Sequence, residues 1–449
     1  MYPKSFNLKI NHKIKPYNKK INIDSDKSIS IRSFLIGSIS QNVSKVKNSL
    51  ESEDVFSTIN CLRRLGVKIK KKGSGEYLIF GKGLGSFIAK KNLILNFGNS
   101  GTLARLLIGI LSTTPEIEIN IKGDKSLNKR SMKNLIEIMS QFGAEFIPNN
   151  KYNFPLKMIS TEMPIGINYN AGVSAQIKSA VMLAGLNSFG NTEIVELKKS
   201  RDHTEKMLLQ NSQAIKVLRK KNNIIQIFGK KYLKSLDIKV PGDPSSSAFF
   251  SAMTLLNKNS YLIIKNVGLN PTRIGFYELL KKHGAKIKFK NLKKINGEKV
   301  GDIHIKSSKI RPIKASQNYY VKATDEYPIL FIIAALTKGT STFSGIKDLA
   351  NKESNRIKEM QNILKQIGIK SLASKNNLKI FGINQIKNNN NKKIYVPNLG
   401  DHRICMSAVI LSLLTGIKAK INNFDTVFTS SPSFLKIIKS LGGSFEIKK

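Results

Sequence analysis

Five times along the chain an apolar stripe of helical period runs into a glycine, and a segment of alternating apolar and polar residues follows. The copies are CLRRLGVKIK (61–70), EIMSQFGAEF (137–146), ELLKKHGAKIKF (278–289), ILKQIGIKS (363–371) and IIKSLGGSFEI (437–447). A period of 3.6 residues places Ile357, Met360, Leu364 and Ile367 on one helix face. A glycine just past the last turn takes the left-handed conformation that satisfies the free carbonyls. An alternating segment such as Val67–Ile69 then reads as a strand with one buried face. The glycines, Gly66, Gly143, Gly284, Gly368 and Gly442, are separated by 77, 141, 84 and 74 residues. The double gap predicts a sixth copy near residue 213, where MLLQNSQAIKV (207–217) keeps the pattern without its glycine. Six helix–strand units predict repeated α/β modules, three to a domain. VPGDPSSSAFF (240–250), rich in turn and cap residues, reads as the crossover between domains, and KNNNNKK (387–393) as an exposed loop.

Length agrees with two domains, since 449 residues exceed one ordinary core. The longest apolar runs, 329–336 and 404–417, fall short of the roughly 18–20 residues a membrane helix needs. The Lys-rich segment 1–20 has no apolar centre and does not read as a secretory signal. Cys61 and Cys405 are far apart with no CxxC, which fits a reducing cytoplasm, and the five histidines show no metal-ligand spacing. The formal charge of +46 points first to a nucleic-acid partner. However, the chain holds 64 lysines against 11 arginines, spread along its length, with abundant Ile and Asn and no Trp. That is the imprint of AT-rich codons rather than of a basic binding surface with interleaved aromatics. Where lysine is the default cation, a retained arginine marks a need for the planar fork that grips carboxylate or phosphate. Arg32, Arg105, Arg130, Arg201, Arg273, Arg356 and Arg403 all sit in short polar motifs.

Four groups of motifs carry candidate chemistry. DSDKSISIRSFLIGS (24–38) sets Lys27, Ser28 and Arg32 at the start of an apolar helical run, where free N–H groups suit an anion. NFGNSGTLARLLIGIL (96–111) offers a tight polar loop with Asn99 and Gly101 before a helix carrying Arg105, without the GKS or GKT of a phosphate-binding P-loop. KRS (129–131), GVSAQIKSA (172–180) and SRDHTEKM (200–207) add Arg130, Ser174, Gln176 and Arg201. TDEYPIL (324–330), NKESNRI (351–357) and GDHRICMSA (400–408) set Asp325, Glu326, Glu353 and Asp401 among Lys352, Arg356 and Arg403, an arrangement suited to acid–base work beside anions.

The order and content of these segments resemble the 5-enolpyruvylshikimate-3-phosphate synthase family, in its class II flavour. DKSIS with RS, GNSGT with Arg105, SAQ with KSA, RDHTEKM, PGDPSS, NPTR, DEYPIL, KES with Arg356, and DHR follow in that family's order. The resemblance implies an α/β (α+β) fold of two similar lobes, each of three βαβαββ repeats, an inside-out α/β barrel. One lobe would span 24–240 and the other 1–23 with 241–449, with hinges near Asp24 and Val240 that let the lobes close on substrate. It implies phosphoenolpyruvate and shikimate 3-phosphate as substrates, with no cofactor, metal, nucleic acid or membrane partner, in a monomer. Lys27, Ser28, Arg32, Ser174, Ala175, Gln176, Arg201, Asp325 and Lys352 would contact shikimate 3-phosphate. Lys27, Asn99, Gly101, Arg130, Gln176, Arg356 and Arg403 would hold phosphoenolpyruvate. Asp325 would act as base, and Glu353 with Lys27 as acid. Counting Lys27, Arg32, Arg130, Arg201, Lys352, Arg356 and Arg403 against Asp325 and Glu353 leaves +5, close to the charge of two phosphates and two carboxylates. Glyphosate, a phosphoenolpyruvate-like inhibitor of this family, would need the space beside Gly101. The pattern departs from class I near the C-terminus: Thr429 stands where those members carry a Lys, so no contact is assigned there, and Ser431 and Pro432 read as a helix cap and first-turn proline. The sister enzyme acting on UDP-N-acetylglucosamine would show a reactive Cys or Asp in a mobile loop, and neither cysteine stands in such a place.

Overall fold

The structure is a computed structural model that describes residues 5–219, 221–384 and 392–448. Residues 387–391 of KNNNNKK lie outside the described residues. The chain divides into two compact units. A mid-chain unit comprises Ser25–Val240 with Ile295–Glu298, and a split unit comprises Met1–Asp24, Pro241–Lys294 and Lys299–Lys449. The short Ile295–Glu298 segment, which the sequence reading left with residues 241–449, packs with the mid-chain unit.

Each unit repeats one plan three times. In the mid-chain unit, Ile94–Asn96 leads through the helix Gly101–Ser112 to the parallel strand Glu118–Lys122, then through Lys133–Gln141 to the hairpin Glu145–Ile147 and Leu156–Ile159. Asn168–Ala171, Asn191–Glu196, Ile215–Arg219 and Asn223–Phe228 repeat it. The remaining sheet borrows its first strand, Asp237–Lys239, from the end of the unit, beside Val43–Lys47. The split unit borrows in the same way. Asn18–Asn22 lies parallel to Tyr261–Gly268, and Asn7–Ile10 sits between Ala419–Ile421 and Glu446–Lys448.

The helices are of two kinds. Glu53–Arg64 and Arg356–Gln366 bury one face and hydrate the other. In contrast, Lys27–Ile39, Gly101–Ser112 and Ala175–Gly185 are buried almost all round, as are Pro244–Leu256, Tyr327–Ala335 and His402–Thr415. The sheets flank them and alternate between a core face and a wet face, as Val43–Lys47 does. Helices therefore lie inside and sheets outside, each unit enclosing its own core.

The five repeat glycines all adopt left-handed backbone, with φ from +81° to +102°. The sixth copy closes without one: after the helix His203–Leu208 a wider turn leads to the strand, and the Asn211 side chain accepts the Lys234 N–H at 2.8 Å. Asp243 caps Pro244–Leu256 and also accepts from Arg273 at 3.2 Å, so PGDPSS and NPTR form one structural joint. The C-terminal cap differs from the sequence expectation. The helix begins at Phe434, with Ser433 at the cap position, and the Ser431 hydroxyl donates to Asp24 at 2.9 Å. Burial raises the Asp24 carboxyl above its usual range, against the hydrogen bonds from Ser433 and Ser431.

Candidate active site

Within each unit several motif residues lie at helix N-terminal ends, where unpaired N–H groups and the helix dipole favour anions. In the mid-chain unit, Asp26 caps Lys27–Ile39 by accepting the Ile29 N–H at 2.8 Å. Lys27 follows, its ammonium 2.9 Å from Asp54. Arg32, one turn on, is buried and donates to Thr204 Oγ1 at 2.8 Å, the Ser28 carbonyl at 3.1 Å and Ser179 Oγ at 3.2 Å. Ser100 and Ser174 cap the other two helices, which places Gly101 and Ala175 in their first turns.

Gly109 explains how these two helices meet. A β-carbon there would stand 2.6 Å from the Ala180 carbonyl oxygen, so only glycine permits this approach. The approach brings Gln176 to Gly101–Ser112, where Gln176 accepts from Arg105 Nη1 at 3.0 Å and donates to Thr102 at 2.9 Å. Arg105 also donates to the Gly101 carbonyl at 3.1 Å. Arg130 donates to the Asn99 side-chain oxygen, and Asn99 in turn donates to Asp124 at 2.8 Å. Two guanidinium groups thus flank Gly101: its missing β-carbon would lie 2.7 Å from Arg105 Nη1 and 3.2 Å from Arg130 Nη1. The space beside this α-carbon is bounded by cations. Arg105, absent from the sequence-derived site, orients Gln176, and the signal for it was its survival among lysines. Arg201 stands in the loop between Asn191–Glu196 and His203–Leu208.

In the split unit a buried guanidinium organises the acids. Arg356, 1% exposed, donates from Nε to Asp401 Oδ2 at 2.9 Å and from Nη2 to Glu353 Oε2 at 2.6 Å, with Asp325 Oδ1 3.8 Å from Nη1. Burial works against its charge, but Asp401, Glu353 and Asp325 together hold it firmly cationic. Asp401 also accepts the Arg403 N–H at 3.0 Å and so caps His402–Thr415. Lys352 pairs with Asp348 at 2.5 Å, and Tyr320 donates to the same carboxylate at 2.8 Å. The expected excess of +5 therefore omits Asp54, Asp348 and Asp401, which pair with Lys27, Lys352 and Arg356. Arg403 differs from these: it is 4% exposed, lies over the Phe249 ring, and its Nε and Nη1 have no hydrogen-bond partner among the described residues. Buried donors without partners are costly, and a water, an ion or a ligand can satisfy them.

Both cysteines are buried, and burial pushes the Cys61 thiol up to about 12 and Cys405 higher still, which makes them poor nucleophiles. Among the described residues no group of His, Cys, Asp or Glu is arranged to hold a metal ion, and no helix is long and apolar enough to cross a membrane.

Comparison with known proteins places this arrangement in context. The family model described as EPSP synthase (3-phosphoshikimate 1-carboxyvinyltransferase) matches residues 11–438. The 3-phosphoshikimate 1-carboxyvinyltransferase of Petrotoga mobilis is 39% identical over 427 residues, covering 94% of this chain and 97% of its own. That of Bacillus pumilus is 38% identical, covering 96% and 98%. The structure of EPSP synthase from Acinetobacter baumannii superposes with a TM-score of 0.84 at 33% identity, covering 99% of this chain and 100% of its own. An enolpyruvyl transferase from Streptomyces tendae, 11% identical with a TM-score of 0.78 over 99% of each chain, shares the fold.

Proposed function

This chain belongs to the EPSP synthase family, the 3-phosphoshikimate 1-carboxyvinyltransferases, and from that premise we propose how its residues divide the reaction. The enzyme transfers the enolpyruvyl group of phosphoenolpyruvate to the 5-hydroxyl of shikimate 3-phosphate and releases phosphate. Lys27, Ser28, Arg32, Ser174, Ala175, Gln176 and Arg201 bind shikimate 3-phosphate, together with Asp325 and Lys352. Phosphoenolpyruvate takes Lys27, Asn99, Gly101, Arg130, Gln176, Arg356 and Arg403. Asp325 accepts the 5-hydroxyl proton as that oxygen attacks C2 of phosphoenolpyruvate, and Glu353, assisted by Lys27, delivers a proton to the methylene carbon. The tetrahedral intermediate then loses phosphate from C2 and a proton from the methyl group, which restores the double bond. Glu353 is held 2.6 Å from the Arg356 guanidinium, which fixes the carboxyl beside a residue assigned to phosphoenolpyruvate. The reaction requires no cofactor, and a monomer in the cytoplasm suffices for it.

The observation that carries this reading is the buried guanidinium of Arg403, whose Nε and Nη1 have no hydrogen-bond partner among the described residues. Arg403→Lys keeps the charge but loses the planar fork, as does Arg130→Lys. Each is expected to raise the KM for phosphoenolpyruvate by more than about tenfold with the protein still folded. Wild-type KM values in both variants would overturn the assignment.

Gly101→Ala tests the neighbouring space. Its methyl must displace the far end of Arg105 and crowd Arg130, a cost of about 1–3 kcal/mol when the site is filled. The wild type is expected to be inhibited by glyphosate in competition with phosphoenolpyruvate, and the variant to have a higher inhibition constant. Equal constants, measured side by side, would show that this position does not set inhibitor fit.

A further inference from the structure

The reaction as assigned makes no use of Lys178, yet its side chain is 0% exposed and its ammonium lies 2.8 Å from Glu196 Oε1 and 2.5 Å from Glu205 Oε1. These carboxylates bracket one loop. Glu196 is the last residue of the strand Asn191–Glu196, and Glu205 lies in the first turn of the helix His203–Leu208. The loop between strand and helix, 197–202, includes Arg201. The helix that carries Lys178 is the one whose start holds Ser174, Ala175 and Gln176.

The loop has few apolar anchors: Leu197 is 79% exposed, and Lys198 and Lys199 are also exposed. Polar ties hold its course instead. The Ser200 N–H and hydroxyl both donate to Glu196 Oε1, at 3.0 and 2.7 Å, and Asn223 donates to Glu196 Oε2 at 2.7 Å. Asp202 pairs with Lys199 at 2.8 Å and with Lys206 at 3.5 Å. Thr204, next to Glu205, accepts from Arg32 and exchanges a hydrogen bond with Ser179, the neighbour of Lys178. Burial favours the protonated form of Glu205, while Lys178 keeps Glu196 ionised against its own burial. A cluster of this kind contributes little net stability compared with apolar packing, but its bonds are directional.

We propose that Lys178 is a positioning residue that pins both ends of the 197–202 loop to the helix Ala175–Gly185 and thereby aims Arg201 at shikimate 3-phosphate. The inference rests on the reading of Arg201 as a contact for that substrate. Removing the ammonium takes away one tie at each end of the loop, and leaves untouched the phosphoenolpyruvate residues outside this helix, Asn99, Gly101 and Arg130.

The test uses the full-length enzyme with Lys178→Met, Arg201→Ala and the double variant, and Glu205→Gln as a milder change that retains a hydrogen-bonding group. Lys178→Met is expected to raise the KM for shikimate 3-phosphate by about ten- to a hundredfold, with the KM for phosphoenolpyruvate within about twofold of wild type. Glu205→Gln, which decides the matter if Lys178→Met does not fold, is expected to raise the shikimate 3-phosphate KM by about three- to tenfold. In the Arg201→Ala background, Lys178→Met adds little, because the group it aims is gone. Amide exchange within 197–202 of the ligand-free enzyme is expected to quicken in both pin variants. An unchanged shikimate 3-phosphate KM and unchanged loop exchange in the folded variants would overturn the proposal, as would additive effects of Lys178→Met and Arg201→Ala. If Arg201→Ala alone leaves the shikimate 3-phosphate KM unchanged, the assignment of Arg201 fails, and the exchange rates alone then decide whether the loop is pinned.

Discussion

Asp325→Asn is expected to lower kcat by about 10²- to 10⁴-fold, the range contributed by a positioned proton acceptor. The amide keeps the size and most of the hydrogen bonding of the carboxylate but cannot take the 5-hydroxyl proton. Stability should change little, since Asp325 is a quarter exposed and Asp401 and Glu353 still compensate Arg356 in the variant. Both KM values should stay within a few fold, which would separate a lost base from a lost binding contact. A variant turning over at the wild-type rate would remove Asp325 from the mechanism and leave Glu353 as the remaining carboxylate to test.

Arg356→Met is expected to destabilise the protein by about 3–5 kcal/mol, the cost of leaving a buried charge uncompensated. Asp401 is fully buried and has Arg356 Nε at 2.9 Å, and Glu353 shares the same guanidinium. Methionine fills much of the volume, so the loss would reflect charge rather than a cavity. Arg356→Lys, with one ammonium in place of the fork, should retain part of the stability. Urea unfolding with an unchanged slope and a lower midpoint would report this directly. Wild-type stability in Arg356→Met would mean that Asp401 takes up a proton or finds another partner, and the acid cluster would no longer depend on Arg356.

The parts of the fold that were legible in the sequence are those that local physics dictates. The five repeat glycines announced themselves because the left-handed turn after a helix excludes most other residues. The sixth turn was silent because backbone hydrogen bonds from Asn211 to Leu208 and from Ala214 to Asn211 close it without a left-handed residue. The strands Asn7–Ile10, Asn18–Asn22 and Asp237–Lys239, which complete sheets far away in the chain, leave no periodic trace, since their partners are fixed by tertiary pairing. Ser431 read as a helix cap because Ser before Pro carries that signal, whereas its hydroxyl is drawn off by Asp24, some four hundred residues distant. Arg130, Arg356 and Arg403 stood out in the sequence through the scarcity of arginine. Lys178 was one lysine among many, and Asp54 was an acid with no visible partner until the fold brought Lys27 to it, whereas Asp348 pairs with Lys352 four residues on. Helix N-termini that gather anion-binding residues follow from motif and dipole together, but which cation neutralises which acid depends on packing.

The most direct test of the activity is phosphate release by the purified enzyme with phosphoenolpyruvate and each acceptor in turn. Phosphate is expected only when phosphoenolpyruvate and shikimate 3-phosphate are both present, in equal amount to the enolpyruvyl product. Release with UDP-N-acetylglucosamine and none with shikimate 3-phosphate would contradict the account.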